Sequence, residues 1–254
     1  MTKIEWTKGQ DGTPGKSWNP CTGCSPISEG CKNCYARRMA HRLAGRYGYP
    51  EAPHEFDVTL HPERLEEPLY WHKPQRVFTV SMGDLFHEDV SLNFIGRVMN
   101  VCSWVGYRKH TFIMLTKRPK RMAEFFAWWG KEPTFNIWLG VTCENQQRAD
   151  ERIPVLLSIP AAVHWLSLEP LLGPVVLPAD FLALGKRAWV VAGGETGPGA
   201  RSAQHDWFRS VRDQCAAAGG VPFFYKGAGT ATVNKRHFTY RLIGGRTWEE
   251  WPNG

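Results

Sequence analysis

The sequence predicts an α/β protein whose parallel strands form a complete or nearly complete (β/α) TIM-type barrel. Three observations support this prediction. Short, nearly continuous apolar segments recur along the chain, as expected for parallel strands buried on both faces. Segments with helical spacing of apolar residues separate them, and this alternation is typical of parallel βαβ units. The 254 residues, 43% apolar and 22% charged, suit one globular domain, so we expect residues 1–254 to form a single barrel.

The strand candidates fall into a strong set and a weak set. The strong set comprises residues 77–82, 111–116, 137–143, 163–168, 188–192 and 221–225. The weak set comprises the segment around 17–19 and residues 56–60, where apolar residues alternate. Together these strands suit a barrel. A doubly wound open sheet is the alternative, because hydrophobic periodicity does not distinguish a closed sheet from an open one.

Helical patterns occupy the segments between the strands. They cover residues 35–47, 92–105, 145–157 and 205–218, and a further helix begins at Pro119. Proline is tolerated in the first turn of a helix, and apolar residues follow Pro119 at helical spacing. Gly219 and Gly220 form a suitable helix stop.

The chain has the features of a cytoplasmic protein. No apolar run approaches the roughly 18–20 residues that a membrane span requires, so we expect no membrane partner. Residues 1–16 are polar and glycine-rich and lack the apolar core of a signal peptide. The seven cysteines are therefore expected in a reducing compartment, where a cluster of them favours metal or redox chemistry over disulfides.

The charge balance is basic. A net charge of +7 and a pI near 9.1 favour acidic partners, of which nucleic acid is the obvious one. Basic residues concentrate in two stretches, at 37–46 and at 117–121. Each stretch can equally be a solvated helix face, so charge alone leaves the question of nucleic-acid binding open.

Polar residues follow the predicted strands at their carboxyl ends, where parallel barrels collect functional groups. The acidic ones are candidate catalytic residues: Asp84, Glu144, Glu169 and Glu195. Hydroxyl and glycine residues are candidates for cofactor binding: Ser81, Thr116, Gly193 and Gly194. The cations are candidates for contacts to an anionic substrate: Lys117, Arg118 and Lys226. Helix caps and tight turns explain any one of these residues, but their recurrence from strand to strand favours a polar-ligand site.

Four cysteines lie within fourteen residues, at Cys21, Cys24, Cys31 and Cys34. Zinc would use all four in a closed tetrahedral site, although the six-residue spacer between the two pairs is short. A [4Fe–4S] cluster could use three thiolates and leave one iron open. The cluster of cysteines follows the first candidate strand and precedes a helix. This order predicts a cysteine loop at the C-terminal rim of the barrel, where an open iron would be useful.

Residues 18–36 read W-N-P-x-x-G-C-x-x-x-S-x-G-C-x-x-C-Y-A, and this pattern resembles the phage- and prophage-associated three-cysteine-motif family, whose biochemical role is largely unassigned. The resemblance continues through residues 82–86, 115–119, 139–145, 167–171, 193–201, 212–215, 222–224 and 245–248. It therefore covers nearly the whole chain.

That family is similar to radical S-adenosylmethionine (SAM) enzymes, particularly those like spore photoproduct lyase. The resemblance implies that Cys24, Cys31 and Cys34 ligate three irons of a [4Fe–4S] cluster, with Cys21 as an optional further thiol. The fourth iron would hold the amino and carboxylate groups of SAM, and Tyr35 would lie near the adenine. An electron donor would then trigger release of a 5′-deoxyadenosyl radical that abstracts hydrogen from the substrate.

The first hypothesis is therefore a radical SAM-like enzyme acting on a polar or anionic substrate, such as a nucleotide or nucleic acid. Its partners would be SAM, that substrate and an electron donor. The second hypothesis is a non-catalytic nucleic-acid-binding module with a structural zinc on the four clustered cysteines. The third is a redox or metal-sensing iron–sulfur protein without SAM chemistry.

Overall fold

The computed structural model describes residues 2, 4–9, 11–105, 110–233, 236–239 and 241–252. Its strands are β1 (Lys16–Trp18), β2 (Cys21–Thr22), β3 (Thr59–Leu60), β4 (Arg76–Thr79), β5 (Thr111–Thr116), β6 (Ile137–Thr142), β7 (Val163–Leu168), β8 (Ala188–Gly193), β9 (Phe223–Gly227), β10 (Thr230–Val233) and β11 (Arg236–Thr239). Its α-helices are α1 (Tyr35–Leu43), α2 (Leu92–Val105), α3 (Pro119–Trp129), α4 (Gln146–Leu157), α5 (Ala179–Leu182) and α6 (His205–Ala217).

The main sheet is parallel and open. Its seven strands follow the order β1-β4-β5-β6-β7-β8-β9. The sheet curls through 202°, which is a half-barrel, and does not close. The prediction of a complete or nearly complete TIM-type barrel is therefore wrong. The strands also succeed one another in chain order, without the reversal of strand order that defines a doubly wound sheet.

The weak strand candidate at residues 56–60 does not join this sheet. Of the predicted residues 56–60, only β3 is extended, and it pairs antiparallel with β2. In that pairing Cys21 lies opposite Leu60. The segment therefore anchors the start of the cysteine region instead of extending the parallel sheet.

The outer edge of β9 is occupied by a later segment of the chain. The Tyr225 N–H donates to the Trp248 carbonyl at 2.8 Å, and the Glu250 N–H donates to the Phe223 carbonyl at 3.2 Å. Hairpin β10–β11 lies between β9 and this segment in the sequence. Because an edge whose hydrogen-bonding groups are already paired offers no template for another strand, the sheet ends here.

The chain divides into two compact units. The first comprises Met1–Leu139 and Ser158–Ala162, and the second comprises Gly140–Leu157 and Val163–Gly254. In the first unit, apolar residues of α2, α3 and β5 form a buried core that includes Ile95, Phe112 and Phe125. Phe125 stacks on Trp129 with ring centroids 5.6 Å apart.

In the second unit, every residue of β7 and β8 is buried, as the continuous apolar pattern predicts. The Trp165 and Trp189 rings pack at 5.5 Å between centroids. Gly140 faces the Trp165 indole so closely that any side chain at position 140 would clash with it. Within the described residues, no helix is both long enough and apolar enough to span a membrane.

Several element ends differ from the predicted ones; β9, for example, spans Phe223–Gly227 instead of residues 221–225, and two other ends have a local backbone cause. Strand β4 ends at Thr79, because Val80 has a φ of 60° and turns the chain. Helix α1 ends at Leu43 instead of residue 47, because Ala44 leaves the helical conformation with a ψ of 131°, and Gly45, Tyr47 and Gly48 after it have positive φ. A residue in the left-handed conformation interrupts the backbone repeat of a regular helix.

Candidate functional site

The cysteine loop, residues 21–34, begins with β2 and leads into α1. The Gly23 N–H donates to the Met82 carbonyl at 2.9 Å, and the Cys24 N–H donates to the Phe56 carbonyl at 3.1 Å. Gly23 has a φ of 85°, and a Cβ there would overlap the backbone of Asp57. The loop is thus fixed to the carboxyl end of β4 at a position that accepts only glycine.

Arg118, at the carboxyl end of β5, holds the first part of this loop. Its side chain is buried, and Nη1 donates to the Cys24 thiol sulfur at 3.3 Å. Nη2 donates to the Ser25 carbonyl at 3.1 Å and to its hydroxyl at 2.9 Å. Arg118 was predicted to contact an anionic substrate, whereas in the structure its guanidinium binds the cysteine loop.

Two carboxylates compensate the charge of Arg118. Nη1 lies 3.3 Å from Asp84 Oδ2, and Nε donates to both oxygens of Glu88 at 3.1 and 2.9 Å. Burial alone would lower the pKa of Arg118, but Asp84, Cys24 and Glu88 together raise it above its usual value. Arg118 therefore remains charged inside the unit, which is the condition for a strong N–H···S contact to Cys24.

Asp84 and Thr116, both predicted site residues, are brought together. The Thr116 hydroxyl donates to Asp84 Oδ1 at 2.7 Å, and the Lys117 N–H donates to Oδ2 at 3.3 Å. The Phe86 N–H donates to Oδ1 at 3.0 Å. A buried carboxylate with several donors organises the loops around it, and Asp84 has this arrangement.

His87 also holds the cysteine loop, although it was not among the residues predicted from the sequence. Its Nε2 lies 2.7 Å from the Ser25 hydroxyl, and its Nδ1 accepts the Asp89 N–H at 3.1 Å. The imidazole is buried. The polar run that includes Asp84 continues to His87 in the sequence, and this continuation was the available signal for it.

The four cysteines of the loop differ in exposure. Cys21 is buried, whereas Cys24, Cys31 and Cys34 are partly exposed. Burial, followed by the nearby Asp84 charge, raises the pKa of Cys21 far above its usual value. Burial also raises the pKa of Cys24 to about 11, with Asp84 adding to the effect and Arg118 opposing it.

Cys31 has the opposite electrostatic environment. Burial works to raise its pKa, but hydrogen bonds with the Ile27 and Ser28 backbone and the Lys117 charge outweigh burial and lower the pKa overall. The Ser28 hydroxyl also lies 3.7 Å from the Cys31 sulfur. Lys117, predicted to contact an anionic substrate, therefore stabilises a thiolate at Cys31.

Thiolates are the usual ligands of iron–sulfur clusters, and Cys24, Cys31 and Cys34 are the partly exposed thiols of this loop. The Cys31 charge contributes to the raised pKa of Cys24. Each also has a hydrogen-bonding partner of the kind that tunes cluster sulfurs, Arg118 for Cys24 and Ser28 for Cys31. In the part of the chain that the structure describes, no group of three or more His, Cys, Asp and Glu side chains is arranged to hold a single metal ion.

Two further predicted residues lie in the same unit. Tyr35 is the first residue of α1, directly after Cys34, and its side chain is 62% exposed. The Ser81 hydroxyl donates to Asn19 Oδ1 at 3.2 Å, and the same oxygen accepts the Met82 N–H at 3.0 Å. Ser81 thus helps to fix the turn after β4.

In the second unit, Glu144 follows β6 and is fully buried. Its Oε2 accepts a hydrogen bond from Arg152 Nη1 at 2.8 Å, and the same Nη1 donates to the Thr142 carbonyl at 2.7 Å. Both side chains are almost completely inaccessible. This arrangement is that of a buried ion pair linking β6 to α4.

Glu169 and Lys226 form a second ion pair, at the carboxyl ends of β7 and β9. Lys226 Nζ lies 2.5 Å from Glu169 Oε1, and the pair remains partly exposed. A Cβ at Gly193 would lie 2.9 Å from the same oxygen. Gly193 therefore leaves the space that the carboxylate occupies.

Glu195 is buried and forms a bidentate ion pair with Arg201. Arg201 Nη2 donates to Oε1 at 2.6 Å, and Arg201 Nε donates to Oε2 at 2.9 Å. The Arg201 N–H adds a third bond, to Oε2 at 2.8 Å. The preceding Gly194 lies against the Ala228 carbonyl, where any Cβ would clash. Glu195 therefore closes the loop after β8.

The fold and the loop define a class of protein, an open parallel α/β sheet with a multi-cysteine loop after its first strand. A family model described as "Protein of unknown function (DUF5131)" matches residues 1–252. The chain belongs to this family. No match was found among curated proteins or among solved structures.

Proposed function

We propose that the protein is a radical SAM-like enzyme, with Cys24, Cys31 and Cys34 holding a [4Fe–4S] cluster and SAM bound at the fourth iron. The observation that carries this proposal is the division of the cysteine loop into one buried thiol, Cys21, and three partly exposed ones. Three accessible thiols match the ligand number of a cluster with one open iron, whereas a closed zinc site needs four ligands.

The bound cofactors would supply one-electron cleavage of the SAM sulfonium, which generates a 5′-deoxyadenosyl radical for hydrogen abstraction from a polar or anionic substrate. The chain's own residues prepare the ligands for this chemistry. Arg118 fixes the Cys24 sulfur, and Lys117 and Ser28 favour the thiolate of Cys31. Tyr35, next to Cys34, presents an exposed ring that the adenine of SAM could cover.

Among the other predicted residues, the Glu169–Lys226 pair is best suited to act on a substrate. Its members are partly exposed, so they can exchange a proton or bind polar groups. Glu144 and Glu195 are committed to buried ion pairs, and we assign them to holding loops in place. We propose a cytoplasmic location, because all seven cysteines, each within the described residues, are free thiols.

The test is metal content after anaerobic purification and reconstitution with iron and sulfide. We expect brown protein with about four irons per chain and a broad visible absorption band. Cys24→Ala, Cys31→Ala and Cys34→Ala should each lose the iron. Cys21→Ala is the matched control from the same loop and should retain most of it.

Two outcomes contradict the proposal. Equal loss of metal in all four variants would indicate a closed four-thiolate site. Colourless protein with one zinc per chain would favour the binding-module hypothesis.

A further inference from the structure

We propose that helix α1 and the turn after it form a binding surface for single-stranded nucleic acid. This α1 surface consists of the exposed side chains Arg37, His41, Arg42, Arg46 and Tyr47. It combines cations, which bind phosphates, with an aromatic ring, which can stack on a base.

The charge of the α1 surface is concentrated and directed outward. Residues 32–47 contain five Lys and Arg residues and no Asp or Glu. The apolar side of the helix packs inward, where Ala36 and Ala40 are buried against Tyr49 and Met82. The helix is therefore held by its apolar side, and its basic side faces solvent.

Two cations of this surface, Arg37 and Arg42, are available to a ligand, whereas Arg46 Nη2 donates to the Arg42 carbonyl at 2.6 Å. Within the described residues, the guanidinium groups of Arg37 and Arg42 form no ion pair with a carboxylate; Arg37 lies over the Phe56 ring at 5.5 Å. The neighbouring acid Glu55 is paired with His41, at 2.9 Å. The basic residues thus keep N–H groups for phosphate oxygens.

Tyr47 is an exposed ring on a strained turn. Its side chain is 76% exposed, and its φ of 54° lies in the left-handed region that aromatic residues rarely adopt. Arg64 Nη2 donates to the Tyr47 carbonyl at 2.5 Å and helps to hold the turn. Strain at an exposed aromatic residue is expected where display of the ring has a use, and stacking on a base is such a use.

A single strand fits this surface better than the alternatives. In a duplex the faces of the bases are stacked on each other, so an exposed tyrosine ring finds no partner. A membrane-binding helix places apolar residues beside its cations at the surface, whereas the alanines of α1 are buried. The α1 surface therefore has the residues for a single-stranded polyanion.

The α1 surface is next to the cysteine loop, because α1 begins at Tyr35, immediately after Cys34. A strand bound along α1 would pass the thiols that we propose as cluster ligands. Identification of this strand as the substrate rests on the proposed function, whereas binding of the strand does not.

The experiment measures binding of the full-length protein to a fluorescently labelled 20-nucleotide oligothymidylate by anisotropy, over a series of salt concentrations. The double variant Arg37→Gln/Arg42→Gln should bind more weakly. Its slope of log K against log salt should fall by about 1.4, because each phosphate contact on a single strand contributes about 0.7. The matched control Lys186→Gln/Arg187→Gln removes the same charge from exposed residues elsewhere and should bind like the wild type.

Tyr47 is tested separately from the charges. Tyr47→Leu should weaken binding by about fivefold or more with an unchanged salt slope, since stacking contributes without releasing ions. Tyr47→Phe keeps the ring and should restore binding. A duplex of the same length should bind more weakly than the single strand.

Several results would overturn the proposal. They are unchanged binding in the α1 variants, an equal loss in the Lys186/Arg187 control, and binding to phosphatidylserine vesicles without binding to the oligonucleotide. Iron content is measured on the same preparations. Protein that contains no iron after reconstitution but binds the strand would support strand binding by α1 and contradict the proposed cluster. Failure of one proposal can therefore be distinguished from failure of the other.

Discussion

At the scale of single residues, Arg118 is the side chain on which the cysteine loop most depends. It contacts the Cys24 sulfur, both Ser25 oxygens and the carboxylates of Asp84 and Glu88. One buried guanidinium thus joins residues that are separated by up to 94 positions in the sequence. Its removal would free the loop and leave a buried carboxylate without its cation.

We expect Arg118→Ala to destabilise the iron-free protein by about 3 kcal/mol, because it leaves the buried Asp84 carboxylate unpaired. Urea unfolding measures this free energy. Arg209→Ala is the control, since Arg209 pairs with Asp206 in an exposed ion pair worth at most about 1 kcal/mol. Equal effects of the two substitutions would show that the Arg118 network contributes no more than a surface pair.

The sequence predicted the residues of this site better than their roles. The cysteine motif is local, so its spacing was visible directly in the chain. Ser25 contacts both Arg118 and His87, and both lie far from it in the sequence. No hydrophobic periodicity reveals such pairs. Glu144 is an acidic residue whose position was predicted but whose role was not. Its position after a strand suggested catalysis, whereas its partner Arg152 makes it part of a buried ion pair.

At the scale of elements, the long strands and helices were predictable, as was the short strand β1, whereas the two-residue strand β2 was not. Strand β7 and helix α2 have the predicted limits, because a buried strand and an amphipathic helix each carry a clear hydrophobic pattern. Strand β2 has two residues, which is too short for any period to appear, and of the predicted residues 56–60 only the two of β3 are extended. Yet these two strands fix the start of the cysteine loop.

The covered edge of β9 gives a prediction for an element. Removal of residues 247–252 should expose the Tyr225 amide, whose acceptor is the Trp248 carbonyl. Hydrogen exchange should then become much faster at Tyr225. The Val190 amide, which donates to the Pro222 carbonyl, serves as the internal control and should remain protected. Continued protection of Tyr225 would mean that the later segment does not cover this edge.

At the scale of the whole molecule, the sequence predicted the parallel α/β class and failed on closure. The failure has a physical cause. The hydrophobic pattern of a strand reports burial of its two faces, and it contains no information on what pairs with its edges. Here a segment later in the chain covers the outer edge of β9. The strand candidate at residues 56–60 contributes only β3, which pairs with β2 and not with the main sheet. Both events depend on hydrogen bonds between distant residues.

The central claim is that three thiolates hold a cluster with an iron open to SAM, and the most direct measurement is SAM cleavage. Reconstituted protein reduced with dithionite should convert SAM to 5′-deoxyadenosine and methionine, slowly and without substrate. Cys31→Ala should abolish this conversion while the protein remains folded, and Cys21→Ala should retain it. Fully reconstituted, reduced protein that neither binds SAM nor forms 5′-deoxyadenosine would contradict the claim.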